Sequence, residues 1–192
     1  MTTRLRFVTA TAEDTRALGA AFAGVLRRGD VVSLSGDLGA GKTCLVQGLA
    51  RGLDVTTPVT SPTFMLQRTY PGRELLVHLD VYRLDRLQDV MDLGDDALAP
   101  DTITVVEWGD TIASLLPDDR LEVELRHRDG DDPAVADDGG ADVDGVPAVE
   151  VGANGGLVDL PRTVVATLHG RWAHRRDDLA SAAAAHLDPE RT

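Results

Sequence analysis

One stretch constrains this chain more than any other. An apolar, β-branched run, Val31-Val32-Ser33-Leu34-Ser35, gives way to Gly36-Asp37-Leu38-Gly39-Ala40-Gly41-Lys42-Thr43, and helical spacing then takes over at Leu45, Val46, Leu49 and Leu53. Strand, glycine-rich turn and helix in that order, with Gly-x-x-x-x-Gly-Lys-Thr at the turn, have a physical purpose. Glycines let a backbone wrap a phosphate chain, and the positive end of the following helix favours the anion. The pattern predicts that the N–H groups of Gly39 to Thr43 point inward and that Lys42 neutralises the β- and γ-phosphates. It also predicts that the Thr43 hydroxyl is a ligand of Mg2+, which requires hard oxygen donors. Leu38, Gly39, Ala40, Gly41, Lys42, Thr43 and Cys44 are therefore the candidate nucleotide-binding residues.

Two acids follow apolar runs in the same way. Leu75 to Leu79 leads into Asp80, and Thr102 to Val106 leads into Glu107-Trp108. In parallel α/β sheets the carboxyl ends of strands gather around the ligand crevice, so both carboxylates are placed near the terminal phosphate. One would hold the metal and the other would orient the attacking water; the residues alone leave open which does which. Thr63, in Ser61-Pro62-Thr63, is either a switch residue sensing the γ-phosphate or part of a proline-stiffened turn. Trp108 either flanks the nucleotide or packs, while His78 and the thiol of Cys44 read as structural side chains.

The chain has 192 residues and reads as one domain over 1–192, with helices expected at Ala12 to Arg28, Lys42 to Leu53, Leu84 to Leu93 and Arg171 to Leu187. Further strands are expected at Phe64 to Tyr70, at Leu121 to Leu125 as an edge or antiparallel strand, and at Thr163 to Leu168. Asp129 to Pro147, with seven aspartates and no aromatic residue, is expected to be a disordered surface loop. The net charge of −13 repels polyanions, so any link to RNA must run through partners. Eighteen arginines stand against one lysine, and that lysine is Lys42, where a compact ammonium suits the phosphates. A single cysteine excludes an internal disulfide, and no apolar run is long enough to span a bilayer; a cytoplasmic location is expected, with no membrane association.

Four motifs taken in order, Gly36 to Thr43, Thr60-Ser61-Pro62-Thr63-Phe64, His78-Leu79-Asp80-Val81-Tyr82-Arg83-Leu84 and Val106-Glu107-Trp108, resemble the TsaE (YjeE) family over about Thr11 to Leu125. The resemblance implies an α/β, P-loop NTPase-like fold, a mainly parallel sheet with flanking antiparallel strands and helices. It also implies an ATPase that acts in bacterial tRNA N6-threonylcarbamoyladenosine biosynthesis at adenosine 37, beside TsaD and TsaB type proteins, touching tRNA only through the complex. On the same ground Thr43 and Glu107 are the magnesium residues and Asp80 serves hydrolysis; Thr11 is added to the expected nucleotide contacts only by its place at the start of the first helix. Lys42, Asp80, Glu107 and Thr63 make up the expected catalytic set, with ATP and Mg2+ as ligands. Two readings stay open beside it: a small-molecule kinase using the same loop, and a module that binds nucleotide without hydrolysing it. A GTPase is the weaker reading, because guanine specificity through Asn-Lys-x-Asp cannot occur when the one lysine is Lys42 and the one asparagine is Asn154.

Overall fold

The computed structural model describes residues 2–62, 65–82, 98–128 and 160–188. The expected helix at Leu84 to Leu93, the expected disordered loop over 129–147, and Thr63 and Phe64 lie outside the described residues.

Among the described residues seven strands form a single sheet in the order β1-β7-β6-β2-β5-β4-β3. The strands are β1 (Thr3–Thr9), β2 (Val31–Ser35), β3 (Gln67–Tyr70), β4 (Leu76–Asp80), β5 (Ile103–Glu107), β6 (Leu121–His127) and β7 (Arg162–Leu168). Four of them, β6, β2, β5 and β4, run parallel at the centre, while β7 lies antiparallel to β6, β1 antiparallel to β7, and β3 antiparallel to β4. The mainly parallel sheet with antiparallel flanks is the architecture expected from sequence. It has a topological switch at β2, since the chain leaves β2 toward β4 and later returns from β5 to β6 on β2's other side. Crevices for ligands open at such points, beyond the carboxyl ends of the strands.

Helices α1 (Ala12–Ala23) and α2 (Lys42–Gly52) pack together against one face. Side chains alternate across a strand, so Val32 and Leu34, Ile103 and Val105, and Leu121, Val123 and Leu125 all enter the core on the helix side. There the rings of Phe7 and Phe22 meet edge to face, 5.3 Å apart. The opposite face of β2, β5 and β4 is covered by a smaller cluster in which Val31, Val77, Leu79 and Val106 meet Ile112 and Leu116. Helix α1 begins with a reciprocal cap: the Thr11 hydroxyl accepts from the Asp14 N–H at 3.0 Å, and the Asp14 carboxylate accepts from the Thr11 N–H at 3.0 Å.

Three expectations need correction, and one strand was not expected. Helix α1 stops at Ala23 instead of Arg28, because Gly24 and Val25 donate to Ala21 and Phe22 three residues back, tightening and ending the last turn. β6 is not an edge strand: it is antiparallel to β7, the other alternative expected, and also parallel to β2, so it lies in the interior of the sheet. The single terminal helix is instead a 3-10 segment (Gly170–Arg175), α3 (Arg176–Ala182) and another 3-10 turn (Ala184–His186). Arg175 bends this segment onto the body by gripping the Asp30 carboxylate through two bonds of 2.6 and 3.0 Å while its guanidinium lies over Trp172. Finally β1 went unassigned from sequence, although Leu5, Phe7 and Thr9 alternate with less buried neighbours in the period of a strand.

The two helices approach closely because Gly48 has no side chain: a Cβ there would run into the Arg16 carbonyl, and Gly19 faces Leu45 in the same way. Gly48→Ala is therefore expected to lower unfolding free energy by about 1–3 kcal/mol in urea with an unchanged denaturant slope. Unaltered stability would show that the helices can part without loss.

Candidate functional site

The glycine-rich turn leaves the carboxyl end of β2 and enters α2 through three glycines in conformations that other residues rarely adopt, Gly36 at φ +128°, Gly39 at φ +82° and Gly41 at φ +102°. Gly36 also lies so close to β6 that a Cβ would strike the Leu125 carbonyl. The first helical bond of α2 runs from the Leu45 N–H to the Gly41 carbonyl at 3.0 Å, which leaves the N–H groups of Lys42, Thr43 and Cys44 free of helical partners at the positive end of the helix. The Ala40 N–H differs from the expectation that it point inward, for it closes a turn on the Asp37 carbonyl at 3.2 Å. Leu38 projects from the loop, exposed, and Cys44 is half-buried in the first turn of α2.

Lys42, His78, Asp80 and Glu107 are ionisable side chains with 5% exposure or less, all gathered around this turn. Their convergence follows from register. Asp80 is level with Glu107 across β4 and β5, and Glu107 is level with Leu34 across β5 and β2. Because His78 and Asp80 alternate with Val77 and Leu79, they face the helix side, as does Glu107, toward the first turn of α2. The Thr43 hydroxyl lies 2.9 and 3.1 Å from the two carboxylate oxygens of Glu107. The Glu107 Oε1 also accepts from His78 Nε2 at 2.9 Å. Because the carboxylate accepts, Nε2 carries the proton, and Nδ1 is buried without a partner among the described residues.

The Lys42 ammonium donates to the carbonyls of Gly36 at 2.7 Å and Asp37 at 2.9 Å, and lies 3.6 Å from the ring centre of Trp108. Burial pushes its pKa below that of a free lysine, while the carboxylates of Glu107, Asp80, Asp110 and Asp37 pull in the other direction. Asp80 accepts from the Ser61 hydroxyl at 2.6 Å and from the Tyr82 N–H at 3.1 Å. Trp108 follows Glu107 in the left-handed region at φ +62°, an uncommon conformation for a bulky side chain, and Tyr82 packs 4.8 Å from its ring. Thr11 lies two residues beyond Thr9, which pairs with Arg162 at the same end of the sheet.

These groups fit a magnesium triphosphate. Among the described residues no three His, Cys, Asp or Glu side chains cluster tightly enough to hold an ion unaided. The Thr43 hydroxyl and Glu107 carboxylate instead offer two hard oxygens, the partial set that Mg2+ takes when phosphate and water complete its octahedron. Sequence reasoning missed His78 as the partner of Glu107, although a histidine inside an apolar strand two residues before an acid was a usable signal. It also missed Arg162, which nothing local marks out. Replacing His78 with Leu keeps an apolar filling but strips the carboxylate of a donor, with an expected cost of about 1–3 kcal/mol in denaturant unfolding. Wild-type stability would show that Glu107 is held without the imidazole.

The model of a family described as threonylcarbamoyl adenosine biosynthesis protein TsaE matches residues 9–134. A Treponema pallidum (strain Nichols) protein named tRNA threonylcarbamoyladenosine biosynthesis protein TsaE is 45% identical over 123 residues, covering 64% of this chain and 91% of the relative. The Bacillus subtilis (strain 168) protein of the same name is 40% identical over 131 residues, covering 67% of this chain and 81% of the relative. Among solved structures, Bacillus subtilis YdiB is similar with a TM-score of 0.66 at 28% identity, covering 94% of this chain and 97% of that one. No helix among the described residues is long and apolar enough to cross a membrane. With the matched stretch containing the glycine-rich turn, Asp80 and Glu107, the chain belongs to the TsaE family.

Proposed function

We propose that this chain is a Mg2+-dependent ATPase of the tRNA N6-threonylcarbamoyladenosine pathway, which uses ATP hydrolysis to reset TsaD and TsaB type partners between rounds of modification. The observation that carries the reading is the Thr43 hydroxyl against the Glu107 carboxylate, at 2.9 and 3.1 Å, at the mouth of a glycine-rich turn whose lysine is buried. Names borne by relatives supply the pathway; the site supplies the chemistry.

In this reading the free N–H groups at the start of α2 bind the phosphate chain, and the Lys42 ammonium neutralises its outer oxygens. Thr43 and Glu107 would hold Mg2+, which when bound withdraws negative charge from the β- and γ-phosphates. His78 keeps the Glu107 carboxylate turned toward Thr43. Asp80, level with Glu107 on the next strand, is placed to orient the attacking water and accept its proton. Its bond to the Ser61 hydroxyl, 2.6 Å long, ties the hydrolytic carboxylate to the segment that carries Thr63. Thr63 is proposed to contact the terminal phosphate, so that losing this phosphate frees the segment and changes the surface offered to partners. Trp108 and Thr11 complete the proposed nucleotide contacts. The strongly acidic chain does not grip tRNA; its partners do.

The test is a reconstitution with MgATP, tRNA and TsaD and TsaB type proteins, counting modified adenosines per TsaD. Wild-type chain is expected to support many turnovers, and Lys42→Ala, which removes the lysine from the phosphate site, about one or fewer. Equal yields with and without this chain would refute the assignment.

A further inference from the structure

Arg162 opens β7, beside Thr9 of β1 and His127 of β6, at the end of the sheet where the glycine-rich turn lies. It alternates with Thr163 in the same phase as Val164 and Ala166, so it faces the helix side. It is 7% exposed, its Nε and Nη1 are fully buried, and neither atom has a hydrogen-bond partner among the described residues. The guanidinium is also close to the turn: a Cβ built on Gly41 would lie 3.0 Å from Nε and 3.3 Å from Cδ. Contrast Arg175, half-buried, whose charge is matched by two bonds to Asp30. A permanently charged guanidinium with two buried nitrogens that find no partner among the described residues is an arrangement that folds seldom keep unless a ligand completes it.

We propose that Arg162 is a nucleotide-binding residue that engages the inner end of the nucleotide, the α-phosphate and ribose, and not the terminal phosphate. The proposal rests on the nucleotide-binding reading above. Sheet order supplies the direction. The carboxylates that serve the metal and hydrolysis stand on β5 and β4, on one flank of β2, whereas β7 lies two strands away on the other flank. A nucleotide with its terminal phosphate toward Glu107 and Asp80 therefore turns its inner end toward Arg162. Chemistry supplies the match: the planar guanidinium presents paired N–H groups at the spacing of phosphate oxygens, and the start of α2 adds free N–H groups and the positive helix end beside it. The same contact explains a glycine at position 41 twice over, by its φ and by the guanidinium stem packed on it. Arg162 falls beyond the stretch 9–134 matched by the family model, so the residue is drawn from the folded chain alone.

The test is calorimetric titration of the full chain with MgATP and with MgADP, for wild type, Arg162→Met and Arg162→Lys, beside melting temperatures without nucleotide. Arg162→Met is expected to weaken both nucleotides by the same factor, about 10- to 100-fold. Its nucleotide-free melting temperature should be unchanged or higher, since a buried charge with two unmatched nitrogens is removed. Arg162→Lys, which keeps the charge but loses the fork, should fall between. Unchanged affinities in Arg162→Met beside a wild type that binds would overturn the proposal while leaving the phosphate loop intact. Weakening confined to ATP would place Arg162 at the terminal phosphate and overturn it too, and a lower melting temperature with normal affinity would make Arg162 a structural residue. A wild type that binds neither nucleotide would overturn the loop reading itself, and the proposal with it.

Discussion

The alignment of β5 between β2 and β4 holds the site together. Glu107 is level with Leu34 on one side and Asp80 on the other, and each pairing is set by a ladder of backbone hydrogen bonds. A strand slipped by one residue turns its side chains to the opposite face. Glu107 would then leave Thr43 and His78 for the cluster around Ile112 and Leu116, and Val106 would take its place. The register is strongly specified because both faces of β5 are buried, so a slip would expose no polar group to water and instead bury a carboxylate among aliphatic side chains. The same apolar residues that build the sheet thereby hold an acid at the mouth of the turn.

Around that acid the protein keeps several polar groups from water and matches most of them. Glu107 has a hydroxyl and an imidazole, Asp80 a hydroxyl and a backbone N–H, and Lys42 two carbonyls and an indole face. Such groups hold their orientation without rearranging when a charged ligand arrives, which is what electrostatic stabilisation requires. The bond from Ser61 to Asp80 adds a link between chemistry and conformation, for it joins a carboxylate on the rigid centre of the sheet to a loop stiffened by Pro58 and Pro62. A bond of this type ties the position of the carboxylate to that of the loop without a large domain movement.

Much of this was legible in the chain itself, for reasons that differ from element to element. The turn from Gly36 to Thr43 was readable because its chemistry is local: glycines, lysine and threonine act within eight consecutive residues. β2, β4 and β5 were readable because strands buried on both faces are short, apolar and followed here by acids. What escaped depends on pairing between distant segments. β1 belongs to the sheet only because β7 lies beside it, and β7 comes more than 150 residues later. The C-terminal segment carries a helical pattern, yet Arg175 on Asp30 and Leu187 bridged to Phe7 break it into short turns. Arg162 is one of eighteen arginines in sequence and acquires its significance only when the fold sets it against Gly41.

The most direct test of the account is a crystal structure with a non-hydrolysable ATP analogue and Mn2+ in place of Mg2+, located by anomalous scattering. The account places one manganese peak bound by the Thr43 hydroxyl and analogue phosphates, with Glu107 as a direct or water-linked ligand. A metal or nucleotide seated instead in the polar groove of about 850 Å³ on the far face of the sheet, lined by Arg4, Ser35, Glu124 and Arg126, would contradict it.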